Sequence, residues 1–60
     1  SLRSALEELP ERERQVLLLR YYKGLTQTQS AKVLGVSQVQ VSRLERRAVD
    51  RLRQMLAPPE

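Results

Sequence analysis

The sequence predicts an all-α fold, a single compact domain of four helices near residues 1–9, 10–23, 27–34 and 38–56, the last two forming a helix-turn-helix. Three observations point there. Apolar residues recur at helical spacing, two Ser/Thr-x-x-Gln capping patterns stand eleven residues apart, and glycines and prolines fall only at the boundaries of the segments so marked out.

Leu2, Ala5, Leu6 and Leu9 follow an i, i+3, i+4, i+7 pattern, the apolar stripe of a short amphipathic helix with its charges outward. Pro10 ends that helix and suits the first position of the next, where Glu11 and Glu13 complement the helix dipole. Val16, Leu17, Leu18, Leu19, Tyr21 and Tyr22 put apolar side chains on most sides of this second helix, the pattern of a central helix that the others wrap. Gly24 supplies a left-handed stop. Thr26 with Gln29 opens the third helix, which ends at Leu34 because Gly35 follows. Ser37 with Gln40 opens the fourth, which meets no internal Gly or Pro until Pro58 and Pro59 stop it.

Sixty residues form one domain, and at that size only about 60% of the unfolded surface is buried on folding. The chain has neither cysteine nor histidine, so disulfides, thiol nucleophiles, the usual zinc sites and the commonest general base are all excluded. The carboxylates are accounted for by helix dipoles and ion pairs, and there is no phosphate-cradling glycine loop. No catalytic residue, metal or cofactor is expected, and the chain does not read as an enzyme. No stretch approaches the roughly 20 apolar residues of a membrane span, and Ser1 to Pro10 lacks the layout of a signal peptide. The expected location is the cytoplasm, with no membrane partner.

Eleven Lys and Arg oppose seven Asp and Glu, for a net charge of +4. The excess lies in the back two-thirds. Residues 16–37 carry Arg20, Lys23 and Lys32 with no acid, and residues 38–56 carry Arg43, Arg46, Arg47, Arg51 and Arg53 against Glu45 and Asp50. Such a distribution suits a polyanion such as nucleic acid, although composition alone favours an ordinary solvated face.

A helix-turn-helix needs a tight joint and close helix contact. Ala31 permits the approach, Gly35 makes the turn, and Leu34, Val36, Val41 and Leu44 are spaced to close a small core beneath it. An ordinary helical hairpin has similar needs. Projection of the last helix at about 100° per residue adds a second observation: Val41, Leu44, Ala48, Leu52 and Met55 form a seam to be buried, while Val39, Ser42, Arg43, Arg46, Asp50 and Arg53 face outward, flanked by Gln38 and Arg47. Val39 is then an apolar side chain aimed at solvent. Either it is a stray surface valine or it meets a thymine methyl in the major groove, with Gln38 and Arg43 offering bidentate patterns for adenine and guanine. Lys32, Arg46, Arg47, the hydroxyls of Ser37 and Ser42, and the amides opening the third helix near Gln27 are placed to hold phosphates. Arg20, Arg51 and Arg53 are either phosphate contacts or merely solvated. Glu45 is expected to pair with neighbouring arginines, for example across a helical turn, since DNA would repel it.

In Leu9-Pro10-Glu11-Arg12-Glu13-Arg14, in the run Val16 to Tyr22, and above all in Gly35-Val36-Ser37-Gln38-Val39-Gln40-Val41-Ser42-Arg43-Leu44-Glu45-Arg46-Arg47-Ala48, the chain resembles region 4 of the sigma-70 family. The likeness covers nearly the whole chain, residues 1–60 reading as one region 4 domain. The recognition segment looks most like the sporulation and general-stress group of the sigma-F, sigma-G and sigma-B type. The resemblance implies binding of the −35 promoter element for transcription initiation, and docking of the front helices on the β flap of the RNA polymerase core. It places Gln38, Val39 and Arg43 at base-reading positions and Arg20, Gln40, Ser42 and Arg46 near phosphates. Leu6, Leu9, Val16 and Leu19 would line a flap groove, or else serve as plain core. Primary sigma factors carry charged residues at the places of Gln38, Val39 and Ser42, which implies a different promoter sequence here. Ser30 stands where the family usually has an apolar residue, which weakens the expected packing. On this reading the chain is a fragment of a longer bacterial, nucleoid-associated factor. Two rivals are a response-regulator output domain, which would need a separate dimerising helix rather than this unbroken basic one, and a protein-interaction module that binds the polymerase or an anti-sigma factor with its DNA face idle.

Overall fold

A computed structural model describes residues 1–58 of the chain. Four helical segments follow in order: α1 (Leu2–Glu8), α2 (Glu11–Leu17, continued by a π-helical turn over Leu18–Tyr22), α3 (Gln27–Leu34) and α4 (Gln38–Leu56). No strand occurs among the described residues.

Each boundary has a local cause. The Ser1 hydroxyl accepts from the Ser4 amide and caps α1. Pro10 sits in extended conformation one residue before α2, and its carbonyl takes the first helical bond, from the Arg14 amide at 3.0 Å. Both capping boxes form: Thr26 and Gln29 exchange bonds of 3.0 and 2.9 Å, and Ser37 and Gln40 exchange bonds of 3.1 and 2.9 Å. Gly24 and Gly35 take φ of +72° and +70°, the left-handed region where a side chain costs most. At Gly35 the Val36 amide reaches back to the Ala31 carbonyl at 3.0 Å, closing α3 with a six-to-one bond. The Arg12 guanidinium adds to that end by donating to the Leu34 carbonyl at 3.1 Å, a cation at a helix C-terminus. Ala57, preceding Pro58, turns extended and ends α4; Pro59, the other expected stop, lies outside the described residues.

The interior divides into two clusters. Val16, Ala31 and Val41 pack with Leu34, Val36 and Leu44 beneath the helix-turn-helix. Leu9, Leu17 and Ala48 pack with Leu6, Val49 and Leu52 behind it. Val16 and Leu17 are consecutive, and the roughly 100° between them lets α2 fill both clusters from one turn. α4 runs along both, its 19 residues spanning about 28 Å. Glu13 is buried within this scaffold, with its carboxylate 2.9 Å from Arg51 Nε on α4.

Three expectations are corrected. The second helix is not wrapped on all sides: Leu18, Tyr21 and Tyr22 are 44%, 66% and 82% exposed, because the other three helices do not cover its whole circumference. Its last turn also widens, the Lys23 amide bonding to the Leu18 carbonyl five residues back. Met55, expected in the buried seam, is 38% exposed, since α4 outruns both clusters at Leu52. Val49, which the projection left unplaced, packs there instead.

Candidate nucleic-acid interface

The second capping box fixes where α4 begins, and hence which side chains open its first turns. Val41 is wholly buried and sets the rotation of the helix about its axis. With Val41 and Ala48 inward, Gln38, Val39, Arg43, Arg46 and Arg47 are exposed and Ser42 is half-buried at the edge. Val39 is 52% exposed. The outward placement of Val39 and Arg43 was the geometric condition for a groove-reading helix, and it is met. Lys32, Ser37 and Gln40 are exposed as well. Among the described residues, Arg43, Arg46, Arg47 and Arg53 form no ion pair, the pairs being Arg3–Glu7, Arg20–Glu45 and Arg51–Glu13. The front of α4 therefore shows uncompensated positive charge beside an exposed valine and an exposed carboxamide.

Several expected site residues are committed elsewhere. Arg20 points inward: its Nε donates to Glu45 Oε1 at 2.8 Å and its Nη1 to the Leu25 carbonyl at 2.6 Å. Gln27 donates from Nε2 to the same Glu45 oxygen at 3.1 Å and accepts from Gln38 Nε2 at 2.6 Å. The Gln40 carbonyl oxygen serves the cap of its own helix. Arg51, read as a phosphate contact or a solvated side chain, holds the buried Glu13. Leu9 and Val16, candidates for a partner groove, are core, 4% and 0% exposed. Leu6 and Leu19 do reach surface depressions, but two different ones.

Glu45 is the residue that sequence reasoning undervalued. It pairs across 25 residues with Arg20 rather than along its own helix, and its second oxygen accepts from the Tyr21 hydroxyl at 2.7 Å. Burial alone would raise its pKa, but the hydrogen bonds from Tyr21, Arg20 and Gln27 outweigh that and hold it below the ordinary value. Tyr21 is correspondingly pushed up, chiefly by its bond to Glu45. An acid flanked by Arg43, Arg46 and Arg47 in the basic stretch of α4 is the available clue. The π-helical turn helps, bringing the adjacent Arg20 and Tyr21 onto one carboxylate.

The second missed feature is apolar. Leu2, Leu6, Leu18, Tyr21 and Tyr22 line an open groove floored by Leu17, Val49 and Leu52, between α1, the π-helical turn and the back of α4.

The family model described as "Sigma-70, region 4" matches residues 5–54. The chain belongs to the sigma-70 region 4 family. That family is one of DNA-binding transcription-factor domains, not of enzymes. An RNA polymerase sigma-F factor from Kitasatospora aureofaciens is 58% identical over 52 residues, covering 87% of this chain and 18% of that protein. RNA polymerase sigma factor SigF from Mycobacterium tuberculosis is 54% identical over 55 residues, 92% of this chain and 21% of that protein. An RNA polymerase sigma-B factor from Bacillus subtilis is 44% identical over 55 residues, again 92% and 21%. The likeness to the sporulation and general-stress type is thus found in named relatives, of whose length this region 4 chain spans about a fifth. No helix among the described residues is long and apolar enough to cross a membrane.

Proposed function

We propose that this region 4 domain reads the −35 element of promoters and thereby directs RNA polymerase to its start sites, within the bacterial cytoplasm and at the nucleoid. The observation that carries the reading is the front of α4: Gln38, Val39 and Arg43 exposed together, with unpaired Arg46 and Arg47 beside them. Gln38 and Arg43 match adenine and guanine edges in the major groove, and Val39 matches a thymine methyl. Arg46, Arg47, Lys32, Ser37, Ser42 and the free amide of Gln40 would position the helix on phosphates. Arg20 is an internal strut in this proposal.

The test is selection of bound duplexes from a random pool, followed by titration of the enriched sequence at several salt concentrations. One short enriched motif is expected, with affinity falling steeply as salt rises because phosphate contacts release counterions. A salt-independent affinity, or a pool that enriches nothing, overturns the assignment.

The apolar groove supports a second contact. A rim containing Leu18, Tyr21 and Tyr22 at 44–82% exposure is a large apolar patch for so small a domain. We assign it to the β flap of the polymerase core, in place of the expected set Leu6, Leu9, Val16 and Leu19; an anti-sigma factor could compete for the same surface. Leu18→Asp should abolish binding to the core enzyme and leave binding to free duplex DNA unchanged, and loss of both would remove this assignment.

A further inference from the structure

Gln27 and Gln38 each occupy the first position of their helices, α3 and α4, and their side chains meet across the turn of the helix-turn-helix. Gln38 Nε2 donates to Gln27 Oε1 at 2.6 Å, and Gln27 Nε2 donates to Glu45 Oε1 at 3.1 Å. Glu45 is in turn held by Arg20 at 2.8 Å and Tyr21 at 2.7 Å, and Arg20 is braced by the Leu25 carbonyl at 2.6 Å. A path of hydrogen bonds therefore runs from the half-buried Arg20–Glu45 pair to an exposed carboxamide at the tip of α4.

The path has a direction imposed by chemistry. An ionised carboxylate only accepts, so the Gln27 carboxamide must turn its Nε2 toward Glu45. Its oxygen is then the atom left facing Gln38, which must answer with its own Nε2. The Gln38 side chain keeps one N–H and its Oε1 for other partners. That adjacent donor and acceptor are the pair adenine requires, at N7 and N6. Were Gln27 free to flip, Gln38 would be free to flip too, and donor and acceptor would exchange places before the base.

We propose that Glu45, acting through Gln27, fixes which way round the Gln38 carboxamide faces the groove, making Gln27 and Glu45 positioning residues for base preference. The proposal rests on the reading of Gln38 as a base contact. It removes Gln27 from the phosphate contacts expected of it and gives Glu45 a role that does not touch DNA. Outer hydrogen-bond partners commonly hold a recognition group in its productive orientation, and their loss loosens the site they support.

The experiment compares Gln38→Ala, Gln27→Leu, the double variant, and the exchanged pair Gln27→Glu with Glu45→Gln, each confirmed folded by thermal unfolding. Competition between duplexes differing at one base pair reads preference at each position. Gln38→Ala is expected to erase preference at one pair. Gln27→Leu should reduce preference at that same pair by roughly fivefold, about what a single bidentate contact contributes at the low end, with affinity for random duplex unchanged. Added to Gln38→Ala it should do nothing more. The exchanged pair restores an acceptor facing Gln38 and should return the preference to within about twofold. If Gln38→Ala leaves every preference intact, the base-reading assignment falls and the proposal with it. If Gln38→Ala acts but Gln27→Leu weakens all duplexes equally, only the relay is overturned and Gln27 is a phosphate contact; if Gln27→Leu acts at another pair, the relay is overturned as well. Failure of the exchanged pair to recover preference likewise overturns the relay.

Discussion

Arg20 and Glu45 join the end of the second helix to the middle of the fourth, their Nε and Oε1 atoms 2.8 Å apart and their side chains 28% and 12% exposed. Because Glu45 also accepts from Tyr21 and Gln27, three donors depend on its two oxygens. Glu45→Ala leaves the Arg20 charge half-buried without its partner. The expected loss is about 1–3 kcal/mol of unfolding free energy, below that of a fully buried pair because water still reaches the site. Urea unfolding of the two chains measures it, and a change under about 0.3 kcal/mol would mean that the pair is ornamental.

The same cluster gives stability two pH edges of opposite sign. Glu45 has its pKa lowered in the folded chain, so its contribution is present above the unfolded carboxylate value and disappears as pH falls through the folded one. Tyr21 has its pKa raised, so its contribution is present below the unfolded phenol value, about 10, and disappears as pH rises through the folded one. Melting temperatures across both limits should show Tyr21→Phe flattening the alkaline edge and making the acid edge shallower, because the folded Glu45 value then rises toward the unfolded one. An unaltered alkaline edge would refute the Tyr21 part. Its magnitude will be small, since the ring is 66% exposed.

Ser30 is wholly buried beside Ala31, and its hydroxyl has no hydrogen-bond partner. The sequence reading of a mildly weakened joint thus takes a definite form. Ser30→Ala removes the stranded hydroxyl and should raise stability by about 0.5–1.5 kcal/mol, part of the 1–3 kcal/mol such a group costs. Chemical denaturation decides; a loss of more than about 1 kcal/mol would show that packing around the oxygen matters more than its missing partner.

Arg43 and Arg46 lie one turn apart on the exposed face and are assigned different work. Arg43→Ala should cost about 1–3 kcal/mol on the preferred duplex and relax preference at one base pair. Arg46→Ala should weaken all duplexes alike and reduce the slope of log affinity against log salt by about one. Titrations on preferred and scrambled duplexes separate the two, and equal behaviour of the variants rejects the division.

The parts of this domain legible in its sequence are those governed by local rules. Thr26-Gln29, Ser37-Gln40, Gly24 and Gly35 announce helix ends by side-chain and backbone chemistry alone, and the structure places all four as expected. The spacing of Ala31, Leu34, Val36, Val41 and Leu44 foretold the core beneath the turn. What stayed hidden depends on distance in the chain. The second helix reads as apolar on most sides, but periodicity does not say how much surface its neighbours can cover, so the exposure of Leu18, Tyr21 and Tyr22 is not legible there. Arg20, Gln27, Arg51 and Glu13 looked like surface residues because their partners lie 18 to 38 positions away. Charge identity suggested contacts with phosphate or water; only tertiary geometry showed the closer internal ones.

Val41 and Ala48, both wholly enclosed, sit on α4 in different halves of the interior, and the exposed Val39 and Arg43 occupy the same rod. One helix is thus both keel and fingertip. On the proposed reading, divergence in the promoters such a scaffold selects is channelled into positions 38, 39, 43 and 46 on the solvent side and 42 at its edge, where exchanges leave the hull intact. A lineage could exchange one regulon for another there while its melting point hardly moved.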